Sequence, residues 1–145
     1  MRTAEDLNRI SYLVIGAAIR VHKRLGPGCF ESAYSPCLAY ELGKCGLQFD
    51  RKVKLTLRYE AVVVDNAYEL DFLIEGCVIG ELKAVEATAP LHVRQLQTYL
   101  RITGYPLGLL INFGARTIEE GTTRQVNNFP FGTSPYSDEP KPRRA

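Results

Sequence analysis

The chain has 145 residues, a formal net charge of +2, and a composition that is 46% hydrophobic and 23% charged. This is enough for one domain with a real core, and the composition is that of an ordinary soluble globular protein. No apolar run is long enough to span a membrane, and the acidic-polar start Met1-Arg2-Thr3-Ala4-Glu5-Asp6 lacks the apolar core of a signal peptide, so the expected location is the cytoplasm. A charge this close to balance argues neither for nor against nucleic acid, and any basic groove must come from local clustering. Cys29, Cys37, Cys45 and Cys77 show no CxxC or Cys/His spacing. They allow two disulfides, but a reduced set packing as small hydrophobes is the expectation.

Residues 3–25 read as a helix. Thr3 and Asp6 form a capping box, and Leu7, Ile10, Val14, Ala17, Val21 and Leu25 recur at steps of three and four. Gly26-Pro27-Gly28 stops it. The stripe is expected to be core, with a homodimer through this helix as the minor reading. Residues 30–44 read as a second helix with Phe30, Ala33, Tyr34, Cys37, Leu38 and Leu42 on one side. Pro36 either opens a helix capped by Ser35 or kinks a longer one.

Residues 52–59 alternate, with Val53, Leu55, Leu57 and Tyr59 facing one way and Lys52, Lys54, Thr56 and Arg58 the other. This predicts a half-buried strand with a basic outer face. Residues 61–64 read as a strand ending in a turn at Asp65-Asn66. The stretch from Tyr68 to Lys83 reads as two strands joined at Glu75-Gly76. Pro90 suits the first turn of a helix ending before Gly104, with Val93, Leu96 and Leu100 inward and His92, Gln95 and Tyr99 on a neighbouring face. Such an amide, imidazole and phenol suit a phosphate or a base edge. Residues 107–113 read as a buried central strand parallel to the one before the helix, and residues 122–127 as a last short strand. One domain over residues 1–128 and a disordered Pro-rich tail over 129–145 are expected.

The chemistry concentrates in the stretch around Glu75-Gly76. Side chains alternate along a strand, so Tyr68, Leu70, Phe72 and Ile74 are expected on one face and Asp71 on the other, while Glu81 and Lys83 share a face of the next strand. Asp71, Glu81 and Lys83 thus meet on one side of a hairpin. Two carboxylates and an ammonium suit a divalent cation such as Mg²⁺ and an activated water; the competing reading is a solvated face with weak surface pairs. Glu31, beside Phe30 and Tyr34, reads on its own as a first-turn glutamate favoured by the helix dipole.

Three features together point further. Gly28-Cys29-Phe30-Glu31-Ser32-Ala33-Tyr34 matches a G-x-x-E-x-x-Y motif. Asp71 followed by Glu81-Leu82-Lys83 matches a D…(D/E)-x-K signature. Gln95-Leu96-Gln97-Thr98-Tyr99 matches the Q-x-x-x-Y helix that follows that signature in several nuclease groups. Over roughly residues 7–128 the chain resembles the GxxExxY family of the PD-(D/E)XK nuclease superfamily. The resemblance implies an α/β fold with a restriction-endonuclease-like core, in which a central mixed β-sheet is flanked by helices and preceded by two N-terminal helices. It implies that Asp71 and Glu81 bind Mg²⁺ or Mn²⁺, that Lys83 lies near the attacking water, and that Glu31 adds a helix-borne carboxylate. Gln95, Tyr99, His22 and Tyr34 are implied on the substrate side. The implied function is a metal-dependent phosphodiesterase cutting nucleic acid, with DNA favoured over RNA; the alternative is a silent nucleic-acid-binding or protein-interaction module on the same fold. Leu70 stands where the P-D form of the signature has proline.

Overall fold

The computed structural model describes residues 2–127, so the expected Pro-rich tail lies outside the described residues. The elements run α1 (Ala4–Leu25), α2 (Glu31–Lys44), β1 (Phe49–Tyr59), β2 (Val62–Ile74), β3 (Val78–Lys83), α3 (Pro90–Thr103), β4 (Leu107–Asn112), α4 (Ile118–Gly121) and β5 (Thr122–Val126). The strands form one five-stranded sheet in the order β1-β2-β3-β4-β5. All pairings are antiparallel except β3 with β4, which α3 connects as a crossover. This mixed sheet flanked by helices, with two helices ahead of it, is the expected restriction-endonuclease-like architecture. No helix among the described residues is long and apolar enough to cross a membrane.

Local chemistry explains most element ends. Thr3 caps α1, its hydroxyl accepting the Asp6 N–H while the Asp6 carboxylate accepts the Thr3 N–H. At the β2–β3 turn, Glu75 and Gly76 both take positive φ, and the Cys77 N–H donates to the Ile74 carbonyl. The Ala89 N–H donates to His92 Nδ1 at 3.1 Å, so His92 helps cap α3. α2 runs through Pro36 rather than starting there, and the missing N–H leaves the Ser32 carbonyl without its helical donor.

The sheet carries a core on each face. One packs Phe72, Ile74, Val78, Leu82 and β4 residues against α1, α2 and Ile118. The other packs Leu55, Leu70, Ile79 and Leu110 against Leu96 and Leu100 of α3. Tyr34 of α2 stacks on Phe113 with ring centroids 4.5 Å apart. The cysteines are all free, and Cys77 is buried.

Several expectations need correction. Tyr68 and Leu70 do not share a face with Phe72 and Ile74: the first pair joins the α3 core, the second the α1/α2 core. The inversion falls at Asp71. On β1 it falls at Lys52, which stands opposite Asp71 and has a φ of 54° in the left-handed region; Phe49 packs on the α1/α2 side and Val53 and Leu55 on the α3 side. Asp65-Asn66 is not a turn. It lies within β2 as a bulge opposite Thr56, with the register shifting between Leu55 and Leu57, and the hairpin turns at Glu60-Ala61 instead. Beyond the shift, Tyr59 points out of the core and is exposed. Phe30 is the α2 N-cap and 82% exposed, because the inward stripe begins only at Tyr34. The four-residue α4 has too few residues to leave a periodic pattern.

Asn112 closes the end of β4. Its buried Oδ1 accepts the Val85 N–H at 3.0 Å and the Gly114 N–H at 2.9 Å, which fixes the segment that follows Lys83. Gly114 is packed so closely there that a Cβ would stand 2.2 Å from the Val85 carbonyl oxygen. Gly114→Ala is therefore expected to destabilise the fold by about 2–4 kcal/mol, and Asn112→Ala by about 1–3 kcal/mol through two orphaned N–H groups. Chemical denaturation of both variants checks this; unchanged midpoints would remove this junction as a support of the site.

Candidate metal and catalytic centre

The centre is a fork in the sheet. β2 and β3 pair at Ile74–Val78, Leu73–Ile79 and Phe72–Gly80, and there the ladder stops. Past that rung β2 stays with β1, while β3 stays with β4 as far as Lys83–Asn112. The next two residues, Asp71 and Glu81, link the diverging strands through their side chains. The Asp71 N–H donates to Glu81 Oε2 at 2.7 Å, and the Leu82 N–H donates to Asp71 Oδ2 at 2.8 Å. Each carboxylate thus has one oxygen held by main chain from the opposite strand. Asp71 Oδ1 and Glu81 Oε1 have no hydrogen-bond partner among the described residues.

Burial makes this pair electrostatically costly. Glu81 is 9% exposed. Its carboxyl is pushed up to about 8, first by burial and then by the negative charge of Asp71, with a smaller push from Glu31; the Asp71 N–H and Lys83 offset only part of this. Asp71 is also raised, again mainly by burial, against the lowering pull of the Leu82 N–H and Lys83. Like charges held side by side at low dielectric oppose joint ionisation. Lys83 lowers both carboxyls through space, yet its side-chain nitrogen forms no hydrogen bond or ion pair among the described residues.

The other predicted site residues fall in different places. Tyr99 of α3 is half-buried, edge-on to Tyr68 at 5.5 Å between centroids. The pKa of its hydroxyl is raised, first by burial and then by the charges of Glu81 and Asp71. Gln95 is exposed and lines one cleft with Tyr99 and Tyr68. Glu31 is exposed and lines a second cleft with Asp71 on the α2 side, where its charge still raises Glu81. The expected convergence of Glu31 with Asp71 and Glu81 around one ion is absent: no group of three His, Cys, Asp or Glu side chains among the described residues is arranged to hold a metal ion. The α2 backbone carries Glu31 on an outward first turn, so it stands across the cleft from the pair. Tyr34 is enclosed at 0% exposure; its hydroxyl donates to the Gly26 carbonyl and accepts the Cys29 N–H, so it braces the α1–α2 loop instead of meeting a substrate. His22 Nε2 lies 3.0 Å from the Ala115 carbonyl oxygen, tying α1 to the loop after β4.

Sequence reading missed the residues that share the α2-side cleft, among them Ser32, Ser35, Arg51 and Lys52. Arg51 Nη2 donates to Ser35 Oγ at 2.7 Å and its guanidinium lies over Phe72. The alternating basic residues of β1 were a visible signal, but of that row only Lys52 shares the cleft with Asp71, while Lys54 pairs with Glu69.

The donor set suits a hard divalent cation. Mg²⁺ and Mn²⁺ take oxygen ligands, and Mg²⁺ is commonly held by one or two carboxylates with water and substrate phosphate completing the shell. Asp71 and Glu81 offer two adjacent carboxylates with one unengaged oxygen each, in a place where positive charge relieves their repulsion. A family model described as the PD-(D/E)XK nuclease superfamily matches residues 8–125. No curated protein and no solved structure matches the chain.

The raised Glu81 carboxyl makes stability depend on pH. Near and below the ordinary 4.5 of a glutamate, folded and unfolded states both hold the proton. As pH rises from there toward about 8, the unfolded chain releases it while the fold retains it, so stability falls; above about 8 the loss is complete. Glu81→Gln removes this term and keeps an oxygen for the Asp71 N–H. Without divalent cations, the variant should gain on wild type progressively as pH rises from 5 to 8, by on the order of a kcal/mol per pH unit. Denaturation midpoints across that range check it, and a constant gap would contradict the buried, proton-holding Glu81.

Proposed function

Because the chain belongs to the PD-(D/E)XK nuclease superfamily, we propose that it is a metal-dependent phosphodiesterase that hydrolyses nucleic acid, DNA by preference, and that it is a member of the GxxExxY group. The observation that carries the reading is the fork itself: Asp71 and Glu81 crossed between two strands, with Lys83 two residues beyond Glu81 and free of other partners among the described residues.

In this reading Asp71 and Glu81 hold Mg²⁺ or Mn²⁺. When bound, the cation lowers the pKa of water and neutralises charge on the phosphoryl group. A cation held there would favour the ionised Glu81 carboxylate, so metal affinity is expected to rise with pH. Water attacks phosphorus in line with the leaving oxygen, and that P–O bond breaks. The Lys83 ammonium holds the attacking water and offsets the charge that builds on the phosphoryl oxygens. Tyr99 orients the substrate, and Gln95 one helical turn earlier contacts it. Glu31 acts from across the α2-side cleft, where it tunes the charge on Glu81.

The test is cleavage of labelled single-stranded DNA, duplex DNA and RNA with Mg²⁺ or Mn²⁺. Wild type is expected to cut. Glu81→Ala and Asp71→Ala should abolish cutting, and Lys83→Ala should slow it by roughly 100-fold or more. Binding that survives in wild type with no metal-dependent cutting of any substrate would favour the silent binding module. The exposed placement of Glu31, outside a three-carboxylate site, is what keeps that second reading in view.

A further inference from the structure

The carboxylate pair lies between two clefts of different chemistry. On the α2 side, Asp71 opens onto Arg51, Lys52 and the hydroxyls of Ser32 and Ser35. On the α3 side, Tyr99 lines a cleft of about 410 Å³ together with Tyr68, Leu91, Arg94 and Gln95. Gln95 and Tyr99 of this second cleft already serve the substrate in the reading above, and the residues around them are not those a phosphate alone would need. Tyr68 and the exposed Leu91 give it an apolar wall. The Gln95 amide, both donor and acceptor, has no partner among the described residues, and neither has the Arg94 guanidinium.

We propose that this α3-side cleft seats an unpaired nucleobase, so that the protein acts on single-stranded or locally opened nucleic acid. The proposal rests on the nuclease reading above and adds the class of substrate. A flat apolar base packs on Tyr68 and Leu91, as bases do on aromatic platforms in single-strand binders. Gln95 meets the base edge, which in a duplex is occupied by the complementary base. Arg94 takes a neighbouring phosphate at the rim. The volume lies within the range of small-ligand sites and matches one nucleotide rather than a helix. Continuity with the reacting centre comes through Tyr99, which borders the cleft and lies edge-on to Tyr68. A strand crossing the fork thus has its sugar-phosphate chain over the basic and hydroxyl side chains of the α2 side and a base turned into the α3 side.

Fluorescence anisotropy without added divalent cation tests this apart from turnover. The probes are a labelled single strand, its duplex, and the same strand with abasic sites. The single strand is expected to bind about tenfold tighter than either of the others. Tyr68→Ala should erase that preference, whereas Tyr68→Phe, which keeps the ring, should retain it, and the surface change Arg94→Glu should weaken all three probes alike. Duplex or abasic strand binding as well as the single strand would overturn the proposal, as would an unchanged preference in a folded Tyr68→Ala protein. Parallel assays with Mg²⁺ or Mn²⁺ separate the two levels. An intact single-strand preference without cleavage overturns the catalytic reading and supports the cleft; cleavage with no strand preference overturns the cleft and leaves the catalysis.

Discussion

Two crossed hydrogen bonds organise this protein. Asp71 reaches the Leu82 N–H, and Glu81 reaches the Asp71 N–H. They stand where a regular ladder would otherwise continue, so the strands can part without leaving those donors orphaned. Bonds to a carboxylate are stronger than neutral ones. The same arrangement forces two acids together under the sheet, and Glu81 answers by holding its proton to about pH 8. Site and strain therefore coincide: what lets the sheet fork also prepares a place for positive charge.

The rest of the chain keeps that fork in position. One core grips the α1/α2 face of the sheet and the other grips the α3 face, so β2 and β3 are held from opposite sides. The Tyr34–Phe113 stack ties α2 to the end of β4, and Asn112 ties the end of β4 to the segment after Lys83.

Much of this was legible because periodicity reports burial. The apolar run of β4, the stripe of α1, the proline-to-glycine span of α3 and the parallel crossover all follow from spacing and end signals. The pairing of Asp71 with Glu81 across a hairpin followed from the turn at Glu75-Gly76. The inversion at Lys52 and Asp71 was not legible, since no residue there advertises a left-handed backbone as glycine would. Asp65-Asn66 misled because the same side chains suit a turn and a bulge, while the true turn at Glu60-Ala61 carries no glycine, proline or asparagine. Glu31 was placed by motif on the correct cleft but not at the shared oxygen set, because spacing along a helix does not report its distance from a sheet.

The fork also leaves a margin of the sheet open. Once β3 departs, β2 from Leu70 back to Val62 has no strand on that side among the described residues, and Val62, Val63 and Val64 are exposed. Such a margin is a template for unwanted strand pairing between molecules. The bulge at Asp65-Asn66 interrupts it midway, and the charged Asp65 and Glu69 stand along it. A sheet that parts to make room for chemistry thus carries its own guard against self-association, built from the residues that looked most like a simple turn.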